Sequence, residues 1–209
     1  QGSATLIAEK IRADIFQELN LTASAGVAPN KFLAKIASDE NKPNGQCVIP
    51  PEGIAAFVAD LSLRKIPGIG PKTAEKLAKR GFTSCADIRT SKPALLQPIV
   101  GKFASSLYQR SFGQDDRELV VERHRKSLAV ETTLGQDINT EQECLTVIEQ
   151  LKPKLAHRLA NVVERQICRQ GIKLKFADFN QTTVEQQSEC CDPQLFSQLL
   201  VTALARSKG

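Results

Sequence analysis

The sequence predicts an α+β chain built from three successive pieces, and three patterns carry that prediction. Residues 3–49 alternate helical and strand-like stretches, residues 64–113 hold only short helical patterns joined by tight turns, and residues 127–209 run β-α-β-β-α. With 209 residues and 41% hydrophobic content, the chain has enough material to bury a core in one large domain or two to three small ones.

The first piece opens with Leu6, Ile7, Ile11, Ile15, Phe16 and Leu19 at helical spacing, with Glu9, Lys10, Arg12, Asp14 and Glu18 on the other side. Ser3 or Thr5 is its expected cap. The small and apolar residues from Leu21 to Val27 then read as a strand packed closely against a neighbour. Lys31 to Ser38 forms a second helix with Phe32, Leu33 and Ile36 inward, and a polar turn through Lys42-Pro43-Asn44-Gly45 leads to a short strand at Cys47-Val48-Ile49. This order is half of a layer, so the remaining half is expected upstream.

Pro50-Pro51 marks a boundary, and a short amphipathic helix follows over Glu52 to Leu61. In the helical piece, Thr83 or Ser84 caps one helix, Ser91 another, and Gly101-Lys102-Phe103 begins a third. Residues 114–126 carry few apolar side chains and end in Arg123-His124-Arg125-Lys126, which reads as a basic linker. The last piece begins with an alternating strand over Ser127 to Thr133. Asn139 or Thr140 then caps a long helix carrying Leu145, Ile148, Leu151, Leu155, Leu159 and Val162 in one stripe. Ile172, Leu174 and Phe176 alternate with Lys173 and Lys175, so period two places both ammonium groups on one open face. A polar strand over Gln181 to Glu189 and a final helix capped at Asp192-Pro193 close the pattern. One strand is missing from a split βαβ unit.

Composition narrows the function. The net charge of +5 suits a polyanionic partner, while aromatics at 5%, with no Trp, argue against large base-stacking platforms. Six scattered cysteines without a C-x-x-C pair, and two isolated histidines, supply no metal-ligand spacing and read as reduced thiols of a cytoplasmic protein. No run is long and apolar enough to span a bilayer. The chain opens on Gln1 and has no Met, which reads as a piece of a longer protein.

One stretch concentrates binding chemistry. In Lys65-Ile66-Pro67-Gly68-Ile69-Gly70-Pro71-Lys72, two glycines flanked by prolines directly precede a helical pattern bearing Lys72, Lys76, Lys79 and Arg80. Free N–H groups at a helix start, surrounded by cations, form a seat for phosphate. A Pro-Gly turn before a solvated lysine-rich helix explains the same residues, and the two readings weigh equally on this stretch alone.

Several ordered blocks together decide the matter. Thr22 to Ala28, Asn30 to Ser38, Asn41 to Gln46, Ile66 to Gly70, Lys126-Ser127 with Glu131-Thr132, and Arg169 to Phe176 with Asp178-Phe179 and Thr182-Thr183 resemble the Y-family translesion DNA polymerases over essentially the whole chain. The resemblance implies the C-terminal part of a palm at residues 1–50, a helix-hairpin-helix thumb at 51–113, the basic linker at 114–126 and a truncated little finger at 127–209. It implies that Gly68, Gly70 and Lys72 hold a DNA phosphate, with a monovalent cation possible at Gly68 to Gly70. By the same resemblance Lys42 meets the triphosphate of the incoming nucleotide, and Lys126, Ser127, Lys173 and Lys175 lie along the duplex backbone.

Polymerases of this family transfer a nucleotidyl group with two Mg²⁺ ions held by palm carboxylates. Those carboxylates belong upstream of Gly2-Ser3-Ala4-Thr5, so no catalytic or metal-binding residue is expected in this chain, which alone is expected to be inactive. The adjacent Asp39 and Glu40 sit in a helix-ending turn and are not recruited as ligands. The implied partners are primer-template DNA and an incoming dNTP, and a sliding clamp would be met through a C-terminal tail absent here; a monomer is expected. The alternative is a non-catalytic helix-hairpin-helix module that binds duplex DNA in a repair assembly.

Overall fold

Two units of mixed α and β structure make up the chain, residues 1–121 and residues 122–209. The computed structural model of the protein describes residues 2–122, 125–162 and 166–207. Arg123 and His124 of the expected basic linker lie outside the described residues.

The first unit begins with α1 (Ala4–Leu19), ended by Asn20 in a left-handed conformation whose N–H donates to the Phe16 carbonyl. Strands β1 (Ala25–Val27) and β2 (Gln46–Val48) pair in parallel, Gly26 opposite Cys47, and α2 (Lys31–Glu40) is the crossover between them. Gly26 explains the close packing expected of this strand. A Cβ there would lie 2.2 Å from the Ala34 carbonyl oxygen and 2.4 Å from Ser38 N, so helix and strand meet backbone to backbone.

After a 3₁₀ turn at Pro51–Gly53 come α3 (Ile54–Ala59), α4 (Pro71–Ala78), α5 (Cys85–Arg89), α6 (Pro93–Val100) and α7 (Ala104–Ser111). Ser84 and Asp87 cap α5 reciprocally. Phe32, Leu33 and Ile36 of α2 belong to the same buried cluster as Val58, Leu63, Ile66, Leu77, Ile88, Leu96 and Leu107, so the α/β layer and the helical piece share one core. The apolar side chains of α1 behave differently from expectation. Leu6, Ile7, Ile11, Phe16 and Leu19 are all more than half exposed.

In the second unit, α8 (Glu141–Ala160) starts from a Thr140–Glu143 capping box. Its apolar stripe is half-buried throughout and nowhere fully buried. Strands β3 (Arg169–Lys175) and β4 (Gln181–Gln187) form an antiparallel hairpin, with Lys173 opposite Thr183 and Lys175 opposite Gln181. Its inner face, Ile172, Leu174 and Val184, packs on Leu195, Leu199 and Ala203 of α9 (Leu195–Ser207).

Two expected features of this unit take another form. Residues 127–133 contain no strand: Leu128 and Val130 are half-buried as the alternation requires, but the Ala129 carbonyl accepts from Arg158 Nη1 at 2.6 Å. Asp192 Oδ1 accepts the Gln194 N–H at 2.8 Å, as a cap does, but the regular helix begins only at Leu195. The buried Gln170 side chain exchanges two hydrogen bonds with the Asp192 backbone, at 2.6 and 2.9 Å, and holds that residue to the sheet.

Candidate nucleic-acid interface

The glycine turn is built on two buried anchors. Ile66 and Ile69 sit in the core while Gly68 and Gly70 between and after them are exposed, and Ile69 N donates to the Ile66 carbonyl at 3.0 Å. Gly68 has φ +101°, a backbone state that side chains with a Cβ rarely adopt. Gly70 is the N-cap of α4, with Pro71 at the first helical position, and it brings no side chain to cap the helix. The first-turn N–H groups of Lys72 and Thr73 therefore have no capping side-chain oxygen, and Lys72 itself is exposed. An anion is the complementary ligand for that arrangement.

Lys42 lies in the exposed turn between α2 and β2. Its ammonium donates to Asp39 Oδ1 at 2.5 Å, and Lys35 occupies Asp39 Oδ2. These two bonds, the one from Lys35 first, hold the Asp39 carboxyl down at about 2, well below the usual range. Arg12 of α1 supports the turn from the other side, donating to the Asn44 carbonyl at 2.6 Å and to Ala23 O at 2.9 Å. Gly45 is obligatory there, since a Cβ would lie 1.9 Å from the Asn41 carbonyl oxygen. Lys65, at the head of the glycine stretch, donates to both Glu40 oxygens at 2.7 and 3.0 Å. The turn bearing Lys42 and the glycine hairpin are thus fastened to the same end of α2.

The carboxylates of Asp39 and Glu40 are both engaged by lysine ammonium groups, Asp39 by Lys35 and Lys42 and Glu40 by Lys65. Among the described residues no cluster of three or more His, Cys, Asp or Glu is placed to hold a metal.

In the second unit, Lys173 and Lys175 project from the exposed face of β3. Lys173 pairs with Glu131 at 3.3 Å, and the Lys175 ammonium stands 4.4 Å from the centroid of the Phe179 ring. Phe179 sits exposed at the hairpin tip with φ +66°. Lys126 and Ser127 are exposed in the extended segment that also carries Glu131. The structure therefore joins Lys173 to that segment and gives Lys175 an aromatic partner four residues on. Sequence reasoning missed Arg12, Asp39, Arg110 and Phe179 as supporting residues. A carbonyl held by a side chain from a distant helix leaves no local pattern to read.

Three segments match one family: residues 1–39 the impB/mucB/samB family, residues 51–82 the IMS family HHH motif, and residues 125–207 the impB/mucB/samB family C-terminal domain. The chain belongs to the impB/mucB/samB family. It is similar to DNA polymerase IV of Colwellia psychrerythraea, 67% identical over 207 residues, a match covering 99% of this chain and 59% of that protein. DNA polymerase IV of Shewanella sp. strain ANA-3 is 54% identical over 210 residues, covering 100% of this chain and 58% of that protein. Among solved structures, a Y-family DNA polymerase chimera superposes with a TM-score of 0.75 at 29% identity, covering 98% of this chain and 60% of that one. The chain spans about three fifths of the length of the curated relatives it matches.

Proposed function

We propose that this chain is the DNA-holding portion of an error-prone, template-directed DNA polymerase that copies past damaged bases. The names of the relatives favour this over a stand-alone binding module. The observation that carries it is the exposed, uncapped turn of Gly68 to Gly70, anchored on buried Ile66 and Ile69. In this reading the turn grips a backbone phosphate through main-chain N–H groups, with Lys72 adding a mobile cation. Lys126, Ser127, Lys173 and Lys175 follow the duplex backbone, and such contacts position DNA without reading its sequence. Lys42 exchanges Asp39 for the triphosphate of an incoming dNTP.

Residues 1–50 act as the tail of the palm, 51–113 as the thumb, 114–126 as the linker and 127–209 as the little finger. A monovalent cation at the hairpin would use turn carbonyls other than that of Pro67, which Arg110 already engages. The Mg²⁺ chemistry of nucleotidyl transfer is assigned to the part of the relatives outside this chain, so the chain alone gives no primer extension. A cytoplasmic setting fits this reading; among the described residues no helix is long and apolar enough to cross a membrane.

The test is duplex binding by the chain and by Gly70→Val. Position 70 has φ −80° and nothing within 4 Å of an added Cβ, so the substitution leaves the fold intact while obstructing close approach of a phosphate. Wild-type affinity is expected to fall steeply with salt and to be indifferent to sequence. Gly70→Val should bind more weakly with an unchanged melting midpoint. Equal affinity in the two proteins would sink the phosphate-clamp reading.

A further inference from the structure

Arg110 lies in the last turn of α7, forty-three positions along the chain from Pro67, yet its Nη1 donates to the Pro67 carbonyl at 2.9 Å. That carbonyl belongs to the peptide unit leading directly into Gly68. The guanidinium carbon also stands 5.1 Å from the centroid of Phe103 and 5.6 Å from that of Phe32. Phe103 closes the 3₁₀ turn Gly101–Phe103, and Phe32, in the first turn of α2, is buried. The same Phe103 ring backs the glycine turn, because a Cβ on Gly68 would lie 3.4 Å from its Cζ. One half-buried cation therefore ties the glycine turn to the entry of α7 and to the start of α2.

We propose that Arg110 is a positioning residue for the phosphate-binding turn: it holds the Pro67-Gly68 peptide so that the N–H groups after it are presented in a fixed direction before DNA arrives. The proposal rests on the clamp reading of Gly68 to Gly70. Three features distinguish it from a direct phosphate contact. Its Nη1 is committed to a backbone carbonyl, its guanidinium carbon lies over two rings of the protein, and the residue is half-buried. Lysine cannot reproduce this, since an ammonium has no plane to lie on Phe103 while its donor reaches Pro67. Free glycine backbone has many conformations, and a turn left untied loses them only on binding, which weakens affinity.

The experiment uses the whole chain, a labelled primer-template duplex as probe, and the variants Arg110→Met, Gly70→Val and the double substitution. Arg110→Met keeps the apolar stem and removes the fork. Affinity is expected to fall on the order of tenfold, the scale of one lost hydrogen bond, at every salt concentration and with the salt slope unchanged. The double variant should bind no worse than Gly70→Val, because both substitutions abolish the same grip. Amide resonances of Gly68 and Gly70 in the DNA-free protein should shift or broaden in Arg110→Met. Unmoved resonances overturn the proposal, as do losses that multiply in the double variant. A salt slope reduced by about 0.9 overturns it too, since that identifies a direct phosphate contact. Unchanged affinity in Gly70→Val instead removes the clamp reading, and the resonances then still report whether Arg110 orders the turn.

Discussion

Asp115 fastens the segment after α7 back onto α2, and its removal makes a quantitative test of the first unit. Its side chain is only 3% exposed. Oδ2 accepts the Phe32 N–H at 3.0 Å, one of the orphan donors in the first turn of α2, while Asn30 Oδ1 accepts the Leu33 N–H at 3.0 Å. Arg117 donates to both oxygens at 2.6 and 2.8 Å. The Arg117 side chain is 56% exposed, so that ion pair contributes at most about 0.5 kcal/mol after screening. The bond to Phe32 is worth more. An acceptor lost from a helix N-terminus leaves a partly buried donor unsatisfied, at about 1–2 kcal/mol.

Asp115→Ala should therefore cost about 2 kcal/mol, roughly 8 °C in the melting midpoint of a unit this size. Asp115→Asn keeps an acceptor and loses the charge, so about half that loss is expected. The pH dependence follows from the same contacts. Hydrogen bonds from Arg117, the largest cause, hold the carboxyl below its ordinary value of 3.8, against the opposing effect of burial. A group depressed in the folded state stabilises fully above its unfolded value and loses that contribution as the pH falls through the folded one. The gap between wild type and Asp115→Asn should thus be constant near neutrality and close in acid. The assay is thermal unfolding by circular dichroism, with hydrogen exchange of the Phe32 amide as a local readout. An Asp115→Ala midpoint within about 1 °C of wild type, with the Phe32 amide still protected, would refute the reasoning.

Asp87 accepts from Thr83 N, Ser84 N and Thr83 Oγ1 at 2.7, 2.8 and 2.8 Å, so Asp87→Ala should cost about 1 kcal/mol, read by chemical denaturation. Gly26→Ala should abolish stable folding of the first unit, because its Cβ meets α2 backbone and not a side chain that can turn away; a cooperative melt close to wild type would contradict this. Burial raises the Cys85 thiol to about 11, whereas Cys168 and Cys190 are exposed. Iodoacetamide labelling of the native chain followed by mass mapping should modify those two and spare Cys85 until the protein unfolds.

Local chemistry was legible in the sequence where neighbours in the chain are neighbours in space. The caps at Ser84 and Thr140, the alternation of Ile172 to Lys175 and the tight packing implied by Ala25-Gly26 each follow from a few adjacent residues. The expected strand at 127–133 is absent because alternation reports a buried face and not a pairing partner; there the Ala129 carbonyl accepts from Arg158. The cap at Asp192 was legible, but not the Gln170 side chain that ties its backbone to β3. In the candidate interface, the glycines and lysines were visible as residue types, but their supports were not. Asp39 looked like an unused carboxylate until Lys35 and Lys42 were placed on it, and Arg110 acts over a separation that no periodicity spans.

The exposed apolar side chains of α1 have a consequence for handling the molecule. Five large apolar side chains in contact with water, spread around α1, make it sticky, and a chain of modest net charge has little long-range repulsion to keep such surfaces apart. Concentrated solutions should cloud first as salt screens that repulsion, and a mild detergent or a dye that fluoresces on apolar surfaces should find α1 before any other helix.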